Sequence, residues 1–263
     1  MNLFIDAFAW LFDPANWQPG SQSPLPLQDR IAEHLLYTFL AVAIAALIAL
    51  PAGFYIGHTG RGRQFVISFT GAMRALPTLG VLFFLTMVLG SMVRGTAGVF
   101  WGTMIALVIL AIPSILAGAY AGLESVSRQT IDAARANGMT EMQILTRVEI
   151  PLALPLIIGG LRSGVLQVIA TAVIASYAGL GGIGRVISSG IGLNDYDRIL
   201  GGAILVTVVA LVIDGAFAIV QRLTRVPGAG NHAVRAKETK LRRRATRSSA
   251  AVETPIREGN VTA

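Results

Sequence analysis

The chain has 263 residues and a formal net charge of +7; 54% of its residues are hydrophobic and only 13% are charged. Soluble domains contain about a quarter charged residues, so this composition excludes an ordinary globular domain. There is no cysteine, which excludes disulfides, zinc–thiolate sites and thiol nucleophiles. The three histidines lie far apart, and we expect each to be a solvated surface residue rather than a metal ligand: they are His34, His58 and His232.

The N-terminal segment, residues 1–34, precedes the first long apolar run. It carries Asp6 and Asp13 and no basic stretch, so it does not resemble a cleaved signal peptide. Beyond it, several apolar runs reach the ~20 residues that a helix needs to cross the hydrocarbon core of a bilayer. We therefore predict an all-α membrane protein with five to six transmembrane helices, and we place five spans near residues 35–56, 66–89, 99–123, 152–175 and 200–221.

The second span contains Arg74 and Pro77. Proline removes a backbone donor, so this span is either one kinked helix or two short helices. An ionisable residue within a span is a functional candidate because burying a charge in lipid is costly. Arg74 and Pro77 are therefore candidates for lining a solute pathway. Asp214, in the fifth span, is expected to face neighbouring helices near Arg162.

Two pairs of glycines have the small-xxx-small spacing that lets helices approach closely. They are Gly118 with Gly122 and Gly160 with Gly164. This spacing predicts packing, either within the chain or between subunits.

Basic residues favour cytoplasmic loops, and here they alternate with the predicted spans. In the loops after spans one and three they are Arg61, Arg63, Arg128, Arg135 and Arg147. An extracytoplasmic N-terminus and a cytoplasmic C-terminus satisfy every loop. The tail, residues 226–263, is basic and too polar to fold alone, so we expect it to be disordered. Its cluster from Lys237 to Arg247 could bind anionic lipid or nucleic acid, and its position beside a span favours lipid.

The polar loop between spans three and four, residues 124–151, contains its own helix signals. Residues 131–137 favour a helix, and Gly138 follows where a left-handed residue is expected to end it. Thr140 and Gln143 form a capping box for a second short helix. That helix would place Ile144, Leu145 and Val148 on one face, and Pro151 would end it and open span four.

This loop resembles the EAA loop of ABC importer permeases. That motif reads Glu-Ala-Ala, three residues, Gly, nine residues, Ile, one residue, Leu-Pro. The same spacing holds here, with Asp132 in place of Glu, followed by Ala133, Ala134, Gly138, Val148, Ile150 and Pro151. The alternative is an ordinary cytoplasmic helical hairpin, but the agreement over twenty residues between two spans favours the motif.

The resemblance implies a type I ABC importer permease, with a transmembrane domain over residues 35–225, in the bacterial inner membrane. It implies that a separate ATPase subunit docks on the loop through Asp132, Ala133, Ala134, Gly138, Ile150 and Pro151. It also implies an ATPase dimer, a second permease copy or paralogue, and an extracytoplasmic substrate-binding protein. The chain itself would catalyse no reaction and hold no cofactor or metal.

Three further runs resemble the osmoprotectant permeases, which import glycine betaine, carnitine and choline. They are residues 74–79, 149–155 and 178–184. A permease for methionine or another small solute is the alternative. No aromatic cage for a quaternary ammonium group is evident, since Trp10 and Trp17 are N-terminal and Trp101 begins a span. Cation–π recognition is therefore expected in the separate binding protein.

Other functional classes fit the sequence less well. Residues 179–184 match the dinucleotide fingerprint G-x-G-x-x-G, but they follow an apolar span rather than a strand, and we interpret them as a tight turn between spans four and five. The only lysines, Lys237 and Lys240, lie outside any P-loop pattern. A secondary transporter would need more intramembrane acids or an inverted repeat, and a membrane enzyme would need convergent catalytic residues.

Overall fold

The computed structural model describes residues 3–18 and 26–224, and every regular element within them is helical. The α-helices are α1 (Leu3–Phe12), α2 (Leu27–Thr59), α3 (Arg63–Ala75), α4 (Thr78–Met92), α5 (Thr96–Glu124), α6 (Arg128–Ala136), α7 (Glu141–Ile144), α8 (Ile150–Ala175), α9 (Gly184–Leu193) and α10 (Tyr196–Leu223). Two 3₁₀ turns, Pro14–Trp17 and Ser176–Ala178, and a π-helical segment, Leu145–Glu149, complete the fold. The predicted tail, residues 226–263, lies outside the described residues.

Four stretches of helix are long and apolar enough to cross a membrane: Leu27–Thr59, Thr96–Glu124, Glu141–Ala178 and Tyr196–Leu223. A fifth span is formed if α3 and α4, which meet at an angle of 84°, cross together. This confirms the predicted all-α polytopic fold. The break falls at Pro77, and Leu76 before it is extended, because a residue that precedes proline is driven out of the helical conformation.

Helix α5 lies at the centre, packed against α2, α4 and α8. Gly118 of α5 faces Gly160 of α8 so closely that a Cβ on Gly160 would lie 2.7 Å from the Cα of Gly118. This confirms the packing that the glycine spacing predicts. Gly122 near the end of α5 likewise faces Ala153 near the start of α8.

The ends of the spans define two ends of the bundle. Gly57 near the end of α2 packs on Leu123 near the end of α5, and Gln221 near the end of α10 reaches Pro155 near the start of α8. These four termini share the end that carries α6 and α7, which we call the loop end. The opposite end, where α2, α5 and α10 begin, is the distal end.

Span four differs from the prediction at Pro151. The helix does not end there: α7 continues through the π-helical segment into α8, and the N–H of Ile150 donates to the carbonyl of Leu145. Pro151 lies in the first turn of α8, where a residue without an N–H is tolerated. The prediction that Pro151 ends the second short helix is therefore wrong.

The connection between α8 and α10 is longer than the predicted tight turn. Gly179 and Gly182 adopt positive φ angles of 104° and 81°, and the ten-residue helix α9 follows. Within the described residues no strand accompanies this glycine run, so the βαβ context of a dinucleotide site is missing there.

Two histidines correct the expectation that each is solvated. His34 is fully buried, with Nε2 3.1 Å from the carbonyl oxygen of Ile169. His58 is also largely buried, against carboxylates at the loop end. The reason for His34 is that α2 begins at Leu27, eight residues before the predicted span, and Arg30, His34 and Thr38 fall on one buried face at helical spacing.

Candidate functional site

The loop between α5 and α8 forms two short helices joined by a glycine turn, as predicted. Ser127 caps α6 by accepting a hydrogen bond from the N–H of Thr130 at 3.2 Å. Gly138 ends the turn with φ at +80°, and a Cβ there would meet nothing within 4 Å, so the backbone angle is what favours glycine. The capping box of α7 is complete. The N–H of Thr140 donates to the side-chain oxygen of Gln143 at 2.9 Å, and the N–H of Gln143 donates to the hydroxyl oxygen of Thr140 at 3.4 Å.

The predicted docking residues divide into two groups. Asp132, Ala133 and Gly138 are exposed on α6 and the turn, and Ala134 beside them is half-buried. Ile150 and Pro151 are half-buried at the start of α8, below the exposed turn. The structure therefore brings the first group together on one surface, and it links the second group to that surface through the continuous helix.

An arginine on α6 ties the two short helices together. The guanidinium of Arg135 makes two parallel hydrogen bonds to the carboxylate of Glu141, at 2.7 and 2.9 Å, and a third contact to Asp132 at 3.3 Å. These hydrogen bonds, mainly those to Glu141, raise the pKa of Arg135 above its usual range. The angle between α6 and α7 is thus held by charge as well as by the glycine turn.

His58, in the last turn of α2, joins this cluster to the membrane helices. Its Nδ1 lies 2.5 Å from the Glu149 carboxylate, and its Nε2 lies 3.3 Å from that of Glu141. Glu149 is the last residue of the π-helical segment and is buried. We name the five linked residues the charged relay: Asp132, Arg135, Glu141, His58 and Glu149.

A cavity of about 250 Å³ lies behind α6, between the ends of α2 and α5. His58 and Glu149 line it together with Glu124, Asp132 and Arg135. The relay therefore borders open space rather than a fully packed core.

Sequence reasoning did not find His58 and Glu149. They lie 91 residues apart, so no local spacing connects them. The one available signal was Glu149 itself, an acidic residue directly before a membrane span, where an unpaired charge is costly.

The predicted pathway residues lie apart from the relay. Arg74 and Pro77 are exposed at the break between α3 and α4. Asp214 pairs with Arg162 as predicted, in a bidentate ion pair with both distances at 2.6 Å that joins α10 to α8.

Aromatic side chains meet at the distal end, which the sequence did not indicate. Tyr37 of α2 packs edge-to-face on Phe100 of α5 with ring centroids 5.9 Å apart, and Phe100 contacts Trp101 in the same manner at 5.3 Å. Because Tyr37 is distant in sequence from the other two, their meeting depends on the packing of α2 on α5.

The fold and the loop define a class: a helical, multi-pass membrane protein that carries one exposed helix–glycine–helix loop. Residues 45–226 match the family model of the binding-protein-dependent transport system inner membrane component. The chain belongs to this family. It is a transport component of the membrane, not an enzyme, and its family works with an ATPase and a substrate-binding protein.

Curated relatives cover most of the chain. It is 32% identical over 193 residues to the glycine betaine/carnitine/choline transport system permease protein OpuCB of Bacillus subtilis (strain 168), covering 73% of this chain and 86% of the relative. It is 36% identical to the carnitine transport permease protein OpuCB of Listeria monocytogenes, covering 70% and 81%. It is 31% identical to the osmoprotectant import permease protein OsmY of Salmonella typhimurium (strain LT2), covering 69% and 75%.

Solved structures share the fold. An inward-facing structure of the MetNI methionine ABC transporter aligns with a TM-score of 0.67 at 21% identity, covering 76% of this chain and 96% of that one. A chain of an amino acid ABC transporter aligns with a TM-score of 0.58 at 22% identity, covering 75% and 91%.

Proposed function

We propose that this chain is the permease subunit of an ATP-driven importer for quaternary amines such as glycine betaine, carnitine and choline. The observation that carries the substrate class is the set of curated relatives, whose names specify these solutes. The likeness to the methionine transporter is at 21% identity and concerns the fold, so methionine stays the alternative.

The loop is the docking surface for the ATPase subunit. Its first group of residues, Asp132, Ala133, Ala134 and Gly138, is accessible to a partner, and the small alanines permit close approach. Ile150 and Pro151 complete the docking element by connecting it to α8. Two such loops, one from each of two permease copies or paralogues, would meet an ATPase dimer.

A second permease would cover α10. One face of this helix is apolar and exposed in the single chain: Val208, Leu211, Val212, Ile219 and Val220. Since lipid and protein can both cover such a face, the support for pairing comes from the importer family rather than from this face alone.

The loop end faces the cytoplasm, which leaves the N-terminus outside. The support is the charge of that end: Arg61, Arg63, Arg128, Arg135 and Arg147 belong to it. In this orientation the basic tail, residues 226–263, is cytoplasmic and meets anionic lipid.

The solute pathway runs along α8. One stripe of this helix is exposed and mixed in polarity, with Leu156, Ser163 and Ala170 two helical turns apart. Tyr177, in the 3₁₀ turn after α8, continues this stripe. Arg74 and Pro77, exposed at the break between α3 and α4, would line the same path. ATP binding would close the ATPase pair, draw the loops together and open the path outward, where the binding protein delivers the solute.

Uptake of labelled solutes tests the substrate class. Cells that lack other osmoprotectant uptake would express the permease with its ATPase and binding protein, and receive glycine betaine, choline or methionine. We expect uptake of a quaternary amine that stops without the ATPase. Uptake of methionine alone would overturn the proposed substrate and leave the importer class intact.

A charged substitution tests the docking surface. Ala133→Glu places a carboxylate on the exposed face of α6, and we expect the ATPase to be lost from the purified permease. Ala97→Glu is the matched control, because Ala97 is an exposed helical alanine at the distal end. Normal recovery of the ATPase with Ala133→Glu would show that this face is not the docking surface.

A further inference from the structure

We infer that His58 and Glu149 are positioning residues that connect the docking loop to α2 and α8. The inference rests on the proposed docking role of the loop and adds the residues through which docking would move the membrane helices. His58 lies outside the loop, and Glu149 occupies the unspecified position of the motif between Val148 and Ile150.

The charged relay runs from solvent into the protein. The side chain of Asp132 is 70% exposed, whereas those of His58 and Glu149 are 14% and 3% exposed. Each successive pair along the relay lies between 2.5 and 3.3 Å apart. A partner that displaces α6 therefore acts on an unbroken series of polar contacts that ends below the surface.

The relay supplies a connection that the backbone lacks. Movement of α7 passes to α8 directly, because one continuous helix joins them through the π-helical segment. Helix α2 has no such covalent continuity with the loop. His58 supplies a noncovalent connection, because its Nε2 contacts the carboxylate of Glu141 and its Nδ1 that of Glu149. The imidazole ring is rigid, so its two nitrogens hold a fixed separation between the contacts to Glu141 and Glu149.

Three considerations indicate a functional rather than a merely stabilising arrangement. Buried ion pairs contribute little net stability, because desolvation offsets the attraction. The π-helical segment that holds Glu149 is a costly irregularity of a kind that recurs at functional sites. The cavity behind α6 also leaves room for the loop to shift.

The test uses the complete importer in lipid nanodiscs, with His58→Gln, Glu149→Gln and the double variant. ATP hydrolysis would be measured without and with solute-loaded binding protein. We expect basal hydrolysis to stay near the wild-type rate and the stimulation by binding protein to fall by about 2- to 30-fold in each single variant. The double variant should lose no more than the worse single one, because both break the same link.

Arg63→Gln is the matched control. Its ion pair with Glu124, at 3.1 Å, also joins two helices at the loop end, but the two side chains are 63% and 43% exposed and lie outside the relay. We expect no change in stimulation. If a buried variant fails to assemble, Glu141→Gln breaks the relay at an exposed position and is expected to give the same loss.

The outcomes separate this role from the docking function itself. Loss of the ATPase from the purified complex would indicate a defect in docking or folding. The exposed variant Glu141→Gln then decides whether stimulation depends on the relay. Wild-type stimulation in an assembled Glu141→Gln or His58→Gln complex would overturn the inference while leaving the docking surface in place.

A separate observation supports a second proposal: we propose that a recess at the distal end binds quaternary amines that carry a carboxylate. The recess has a volume of about 270 Å³ and is lined by Ser176, Tyr177, Arg185, Ser188 and Ser189. This size is near the lower end of the range for small-molecule sites. The proposal of this second site rests on the substrate class proposed above.

The lining matches both ends of such a solute. Tyr177 is half-exposed at the end of the exposed stripe along α8, and its ring face can attract a quaternary ammonium group. Arg185 is exposed, and among the described residues no carboxylate pairs with it, which leaves its guanidinium available for a solute carboxylate. Ser189 donates its own hydrogen to the carbonyl of Arg185 at 2.7 Å and keeps its acceptor sites.

The two ends predict different sensitivities. Glycine betaine carries a carboxylate and choline does not. Arg185→Gln should therefore lower glycine betaine uptake at least about fivefold more than choline uptake, in line with the loss of a charge-assisted hydrogen bond. Tyr177→Leu should lower the uptake of both solutes, and Tyr177→Phe, which keeps the aromatic ring, should retain the uptake of both.

The experiment measures uptake of both solutes by cells with the complete importer, with Arg94→Gln as the control because Arg94 is an exposed arginine outside the recess. If the wild type takes up neither solute, the proposed substrate class fails and the recess with it. If the wild type takes up both and Arg185→Gln lowers them equally or not at all, only the recess is wrong. Uptake of choline alone by the wild type would overturn the role of Arg185. If the wild type takes up glycine betaine alone, unchanged glycine betaine uptake in Arg185→Gln would overturn that role.

Discussion

Helix α8 contacts its two main neighbours in different ways. Against α5 it packs backbone to backbone, through facing glycines and a continuous apolar core. Against α10 it adds polar bonds, the Arg162–Asp214 ion pair and a hydrogen bond of 2.7 Å from Gln221 to the carbonyl of Pro155, to apolar packing by residues such as Phe217. Few residues of α10 are fully buried in the single chain: Arg198, Gly201, Gly202 and Leu205.

The difference separates a fixed unit from a more weakly attached helix. Close-packed helices such as α5 and α8 resist relative movement, because any shift costs many dispersion contacts. The contact between α8 and α10 includes polar bonds, which can be exchanged for others when a helix shifts. We therefore expect the α5–α8 contact to resist relative movement more than the α8–α10 contact does.

The largest effect is expected from filling the glycine contact. In Gly160→Ala the new methyl would lie 2.7 Å from the Cα of Gly118, and overpacking of this kind costs about 1–3 kcal/mol. Thermal unfolding of the purified protein in nanodiscs measures the loss. Gly215→Ala in α10 is the control: its Cβ would meet nothing within 4 Å, so it should be neutral or stabilise the helix by up to about 1 kcal/mol.

Breaking the ion pair between α8 and α10 should come next. Asp214→Asn keeps the shape of the side chain and removes its charge, and we expect initial uptake to fall on the order of tenfold. Adding Arg162→Gln should restore part of the rate, since the unpaired guanidinium is then gone as well. A double variant that is worse than both single ones would mean that the two side chains act separately.

A smaller loss is expected from Gln221→Leu. This change removes the hydrogen bond to the carbonyl of Pro155, worth about 1 kcal/mol, and leaves the ion pair intact. Its unfolding temperature should fall less than that of Gly160→Ala. An equal or greater fall would show that α10 is held as firmly as α5.

The smallest effect is expected at the surface of the loop end. Glu124→Gln removes the exposed ion pair to Arg63, which joins α5 to α3 at 3.1 Å. Exposed pairs contribute about 0–1 kcal/mol, so unfolding should scarcely change. A clear destabilisation would indicate that this pair is shielded in the assembled importer.

Much of the fold followed from local sequence. The apolar runs predicted the spans, Pro77 predicted the break in the second one, and Gly138 with the Thr140–Gln143 box predicted the shape of the loop. The errors also have local causes. Pro151 did not end its helix because the π-helical segment before it keeps the chain helical from α7 into α8. His34 was assigned to solvent because α2 begins earlier than its apolar run.

The sequence by itself determined which segments span the membrane and how the loop between α5 and α8 is shaped, because span length, capping and proline breaks depend on residues within a few turns. Only the tertiary structure decided which charges meet: His58 with Glu149 across 91 residues, and Arg162 with Asp214 across 52. Such pairs depend on how each helix is rotated and which neighbour it packs against. That choice is made by the whole core at once, through close contacts such as Gly118 with Gly160.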